Sequence, residues 1–369
     1  MAASRIAAQL PQCAFGKCIN TAAEIQCSAP AERKQVTFLT VNGVSIRDAL
    51  NPARSVPEIS LAAGREELWR LVNAAANTYI RLHVADIDGS GLVRSVPIEV
   101  VGLDGVPFAD KMGRPKAQTS ADPPGGRIEF NVNLDAPATQ HRLVLRTEAM
   151  ETGCAEDLMP ARDLLAVRID TPPLDAPSGR GSVPPRTILQ GIDDVRSGSP
   201  PARRRTFAFT EYQRANNSKT DFYITEVSRA DAIIEPYPMG GMPTSVVEVE
   251  PNSVEEWTIL NFTHEVHNFH IHQLHFRVLE SDDKFVEGRM LDTINVPVAL
   301  PDTNWSPDDP VTPGKVRLLM RFHQNISGEF VFHCHILSHE DKGMMGLIRV
   351  IDPGGRGSPS LERPPDHHH

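Results

Sequence analysis

Cysteine and histidine alternate at His333-Cys334-His335, within the stretch that runs from Phe332 to Met344. Valine and phenylalanine precede the triplet, so it reads as the end of a β-strand. Successive side chains of a strand point to opposite faces, which places His333 and His335 on one face and Cys334 on the other. A thiolate and two imidazoles arranged this way can serve two metal centres joined by a few backbone bonds, a route for electrons. His339 follows Cys334 by five residues and Met344 follows His339 by five. Cysteine, two histidines and a weak axial methionine are the ligands of a blue-copper electron-transfer site. The second histidine must come from elsewhere, and residues 264–275 hold a supply. There His270 and His272 share a strand face, about 6.6 Å apart at roughly 3.3 Å per residue. His267 lies an odd number of residues from both and points to the other face, so the parity of the first segment is repeated.

The two segments resemble the two C-terminal copper motifs of the laccase-like multicopper oxidases. His267-x-x-His270-x-His272 is similar to the third motif of that family, and His333-Cys334-His335-x-x-x-His339-x-x-x-x-Met344 to the fourth. The resemblance implies that type 1 copper takes His267, Cys334, His339 and Met344. It implies type 2 copper on His270 and the type 3 pair on His272, His333 and His335. Two positions depart from the family pattern. Asn268 stands where proline is usual, and Gln273-Leu274 where Gly-His is frequent; neither is a required ligand.

Zinc also binds cysteine and histidine, but structural zinc sites use paired Cys-x-x-Cys or spaced histidines rather than an alternating triplet followed by methionine. Copper nitrite reductases pair type 1 copper with another copper, yet keep one histidine beside the cysteine where this chain has two. His83, His141, His264, His275 and His323 read as structural or surface residues, and His367 to His369 as a tag remnant or tail.

The elements that must hold these ligands read as all-β. Short Val/Ile/Phe-rich runs bounded by Pro, Gly, Asn and Asp recur, helical periodicity is weak, and no apolar run is long enough to span a membrane. The length of 369 residues suits two or three domains. Residues 1–32 read as an N-terminal arm or the remnant of a lost domain, and 33–170 as a domain without copper ligands. Residues 171–204 read as a Pro/Gly/Ser-rich linker, 205–352 as the copper-binding domain and 353–369 as a disordered tail. Thr40-Val41-Asn42-Gly43, Glu67 to Ala74, Leu103-Asp104-Gly105-Val106-Pro107 and the strand from Arg127 resemble the middle domain of three-domain members of the family. The resemblance thus implies two cupredoxin-like Greek-key β-sandwiches in tandem. Arg203-Arg204-Arg205 reads as a solvated strand entrance. The net charge of −10 argues against nucleic acid as a partner, since phosphate binding needs a basic surface.

The family's trinuclear centre draws on four His-x-His pairs, and outside the terminal run this chain holds two, 270/272 and 333/335. As written it encodes a complete type 1 site and half of the type 2 and type 3 sites, which suggests a missing N-terminal domain. The implied activity is that of a copper oxidoreductase. It takes single electrons from a phenol, an amine or a metal ion and passes them from Cys334 through His333 and His335 to reduce dioxygen to water, with Glu340 supplying protons. The alternative is a type 1-only electron-transfer or copper-binding protein without oxidase activity. The resemblance implies a periplasmic or secreted protein, although no signal peptide is evident. Cys13, Cys18, Cys27 and Cys154 are an even number that could pair in an oxidising compartment, with connectivity not deducible.

Overall fold

A computed structural model describes residues 38–47, 56–64, 66–108, 115–116, 119, 122–134, 141–153, 159–170, 200–213, 220–227, 246–263, 265–299 and 312–351. The arm at 1–32, the tail at 353–369, most of the linker and the four cysteines other than Cys334 lie outside these residues.

The described residues form two β-sandwiches in tandem. The first has one sheet in the order Glu66–Val72, Arg127–Asn133, Ile98–Leu103, Val106–Pro107, with Pro115–Lys116 beside Ile98–Leu103. Its other sheet runs Glu58–Ala62, Arg162–Asp170, Arg142–Thr147, Leu82–Ile87, Val93–Val96. A separate hairpin joins Phe38–Val41 to Val44–Arg47. Asn42 and Gly43 at its turn take φ of 51° and 77°, the left-handed pair that a two-residue hairpin requires.

The second sandwich has a six-stranded sheet in the order Thr220–Glu226, Arg203–Gln213, Val254–Asn261, Gly314–Arg321, Phe276–Glu280, Met290–Leu291. Facing it is a five-stranded sheet, Val246–Val249, Met345–Val350, Gly328–His333, His267–Ile271, Thr293–Val296. Alternation of apolar and polar residues along Val254–Asn261 turns Trp257 and Ile259 inward, and both are fully buried. Trp257 packs against Phe207, Phe269, Phe322 and Phe332, so the strands that carry the histidines rest on a rigid aromatic core.

Arg205 corrects the reading of the basic run. Arg203 and Arg204 are exposed, but Arg205 is 2 % exposed. Its guanidinium meets Glu255 at 2.7 Å and Glu226 at 3.1 Å and donates to the Glu248 carbonyl at 2.6 Å. The residue is inside because three acceptors surround it; a count of charges along the sequence does not reveal them. No helix among the described residues is long and apolar enough to cross a membrane.

Candidate metal centre

The strands His267–Ile271 and Gly328–His333 lie side by side in antiparallel register, with His270 opposite His333. The pleat therefore sorts the side chains into two poles. His267 and Cys334 fall on one side, and His270, His272, His333 and His335 on the other.

At the first pole His267, Cys334 and His339 come together, all buried. Nδ1 of His267 and Nδ1 of His339 are 3.1 Å apart, and the Cys334 Sγ lies 3.7 Å and 3.8 Å from them. His339 arrives on a single helical turn, Leu337–Glu340. Met344 is fully buried, and its backbone closes the loop: its N–H donates to the His339 carbonyl and its carbonyl accepts the Cys334 N–H, both at 3.0 Å. The outer nitrogens of the two imidazoles are tied. His267 Nε2 meets Thr263 Oγ1 at 2.8 Å, and His339 Nε2 meets Glu265 Oε1 at 3.3 Å. Phe222 stacks on the His339 ring at 4.2 Å. Burial, followed by the neighbouring His339, pushes the His267 pKa well below its usual value and keeps this imidazole neutral.

At the second pole His270, His272 and His333 bring their ligand atoms within 4.8 Å of one another. His272 Nε2 and His333 Nε2 are 3.3 Å apart. The His335 ring lies 5.2 Å from that of His270 and 5.3 Å from that of His333, centre to centre. His270 Nδ1 is held by the Asp292 carbonyl and Thr293 Oγ1, both at 2.9 Å, which leaves Nε2 for the cluster. Burial pushes His270 down to about 4, the neighbouring histidines add to the shift, and Asp292 opposes it. Glu340 Oε2 lies 3.2 Å from His333 Nδ1. Burial works against ionisation of Glu340, but the hydrogen bond from His333 and the charges of His333, His335 and His272 hold it below the usual carboxylate range.

The donor chemistry fits a soft, imidazole-binding cation. Two imidazole nitrogens that face each other at 3.1 Å beside a thiol cannot all be satisfied by one another. A metal ion accepts all three lone pairs, while the outer nitrogen of His267 is engaged by Thr263 and that of His339 faces the Glu265 carboxylate. The same holds for the facing Nε2 atoms of His272 and His333. Thr263, Phe222, Asp292 and Thr293 had no signal in the sequence, because each acts on an imidazole through a bond that no spacing rule marks. Glu265, readable as a carboxylate near the ligands, is buried against His339, whereas Asp341 is exposed.

Residues 213–353 match the multicopper oxidase family model. The chain is 28 % identical over 297 residues to a laccase of Bacillus stratosphericus, a match that takes in 78 % of this chain and 51 % of that protein. It is 32 % identical over 107 residues to a laccase of Bacillus subtilis, covering 27 % of this chain and 21 % of that one. Among solved structures, a multicopper oxidase from Campylobacter jejuni, described as a metallo-oxidase, superposes with a TM-score of 0.54 at 20 % identity. That superposition covers 80 % of this chain and 55 % of the other; at this identity the likeness is one of fold, that of cupredoxin-like sandwiches. The chain spans about half the length of the Bacillus stratosphericus laccase.

Proposed function

We propose that this chain, a laccase-like member of the multicopper oxidase family, is the electron-accepting half of a copper oxidase. The observation that carries the reading is the pair of poles joined at Cys334: one imidazole–thiol trio on one side of the strand and a histidine cluster on the other. Cys334, His267 and His339, with Met344 as axial neighbour, are assigned to type 1 copper, His270 to type 2, and His272, His333 and His335 to type 3. Copper held there would supply one-electron redox chemistry and, at the cluster, the reduction of dioxygen to water.

The residues of the chain do the rest. Thr263 and Glu265 fix the ring orientation of the two type 1 histidines. Cys334 shares peptide bonds with His333 and His335, so an electron that enters at the sulfur has a covalent path to the other pole. The Cys334 carbonyl and Glu340 share the His333 Nδ1 hydrogen, which keeps Nε2 directed at His272, and Glu340 reaches the half-buried surface, from which it would relay protons. The reductant is a phenol, an amine or a metal ion. Two further His-x-His pairs, supplied from outside these 369 residues, would complete the cluster.

A second reading is favoured by the exposure of His272 at the second pole: a type 1-only electron-transfer protein. Copper loading of the full chain, with absorption spectra and oxygen consumption on a phenol or diamine, separates the two. An intense blue band with more than one copper per chain is expected from the assignments. One copper, a blue band and no oxygen uptake would establish the electron-transfer reading, and absence of any blue band would remove the type 1 assignment.

A further inference from the structure

We propose that Asn268 is a positioning residue that clamps the Cys334–His335 peptide and anchors it to the copper-free sandwich. Asn268 sits beside His267 on the strand His267–Ile271 and is fully buried. Its side chain makes three bonds. Nδ2 donates to the Pro124 carbonyl at 3.1 Å. Oδ1 accepts the His335 N–H at 2.5 Å and the Cys334 thiol at 3.2 Å. The orientation of the amide is dictated from both ends: a carbonyl demands the NH2 group and a backbone N–H demands the oxygen. One side chain thus bridges the first sandwich, the ligand sulfur and the first peptide bond on the way to His335.

The segment that receives Nδ2 is itself fixed. Asn73 Nδ2 donates to the Asp122 carbonyl at 2.9 Å, the Gly125 N–H donates to the Asn73 carbonyl at 2.8 Å, and the Asn73 N–H donates to the Gly126 carbonyl at 2.9 Å. Gly125, at φ +83°, also lies flat against the His335 imidazole, where a Cβ would come within 2.5 Å of the ring. The 122–126 turn therefore holds His335 twice, by contact with its ring and through Asn268 at its backbone. A proline at position 268, usual in the family pattern, could make none of the three side-chain bonds.

The clamp has an electrostatic consequence that rests on the copper reading above. With the thiol proton gone, the negative end of the amide dipole faces the sulfur. It disfavours the extra electron of a reduced site, so Asn268 lowers the reduction potential of the Cys334 centre.

The full chain serves for the test, in wild-type form and as Asn268→Ala and Asn268→Asp. Amide hydrogen exchange at His335, read on the copper-free protein, should be slow in the wild type and roughly three- to tenfold faster in Asn268→Ala. Asn268→Asp, which keeps an oxygen toward His335 but sets one against Pro124, should restore protection at His335 while exchange in the 122–126 turn accelerates. In the copper-loaded chain, Asn268→Ala should shift the thiolate absorption band and raise the potential at unchanged copper content. A wild-type His335 amide that exchanges like an open loop overturns the clamp without recourse to any variant. An unchanged band and potential in copper-loaded Asn268→Ala overturn its electrostatic part. A wild-type chain that takes up no copper sinks the oxidase reading, while the exchange result still decides the clamp.

Discussion

Four of the six imidazoles at the two poles spend one nitrogen on orientation. His267 gives Nε2 to Thr263, His339 turns Nε2 to Glu265, His270 gives Nδ1 to Asp292 and Thr293, and His333 shares Nδ1 between the Cys334 carbonyl at 3.0 Å and Glu340 at 3.2 Å. The other nitrogen is then directed inward in a fixed tautomer, and ligand basicity rises with the strength of the outer bond. Thr263→Val tests this most cleanly, because the side chain keeps its volume and loses only the hydroxyl. Thr263 is 1 % exposed, so the orphaned His267 Nε2 has no water to turn to. Stability should fall by about 1–3 kcal/mol in denaturant titrations. Copper affinity at the Cys334 pole should fall roughly 10- to 100-fold in competition with a chelator. Equal affinity in the two proteins would show that the hydroxyl does not orient the ring. The cysteine and histidines that the two poles gather were legible in the sequence because metal sites call for such residues at set spacings. Thr263 was not, since a threonine four residues before a histidine has no preferred partner until the strand and its approach loop bring them together.

At the scale of elements, two strands and one helical turn set the site. The strand Gly328–His333 lies between His267–Ile271 and Met345–Val350, and Gly346 is the register partner of Phe332. A Cβ on Gly346 would run into the Phe332 ring. That ring cannot retreat, because it is fully buried and wedged between Phe207 and Trp257. Gly346→Ala should therefore cost about 1–3 kcal/mol by overpacking and displace His333, the next residue along; unfolding curves and copper content of the cluster pole measure the two effects. A variant as stable as the wild type would mean that the strand slides at no cost. The alternation that divides Cys334 from His333 and His335 could be read from the sequence, as could the β character of the flanking runs. The pairing of His270 with His333 could not, because register is fixed by contacts between strands more than sixty residues apart. Gln273 marks another place where local rules and the fold part company: it holds φ of +63° at a position where the family often has glycine, so the backbone bend is kept and a side chain bears its strain.

Across the whole molecule, the first sandwich does more than separate domains. Asp104, on the hairpin turn after Ile98–Leu103, accepts the backbone N–H groups of Asp292 and Thr293 at 3.0 Å and 3.1 Å. Arg127 forks onto both oxygens of Asp292 at 2.7 Å and 2.5 Å. Asp292 and Thr293 in turn hold His270, so the first sandwich reaches the cluster through this network as well as through the 122–126 turn. Asp104 and Asp292 are 188 residues apart, and nothing in either local sequence announces the contact. Burial, then the charge of Asp292, push Asp104 up to about 7, while the Arg127 fork holds Asp292 below its ordinary range despite burial. Asp104 also lines a cavity of about 700 Å³ between the sandwiches. Its folded pKa lies above the ordinary 3.8. Its contribution to stability is therefore complete below that value and is lost as pH rises through about 7. Asp292, shifted the other way, contributes above 3.8 and loses its share as pH falls. Asp104→Asn removes the first titration and leaves the second, at the cost of a constant offset from one mismatched hydrogen bond. The stability advantage of the wild type over Asp104→Asn should therefore shrink by a few kcal/mol, on the order of 1.4 kcal/mol per pH unit, between about pH 4 and about pH 8. Denaturant unfolding of both proteins across that range measures it, and a difference that stays flat or grows with pH would show that Asp104 is already ionised in the folded chain.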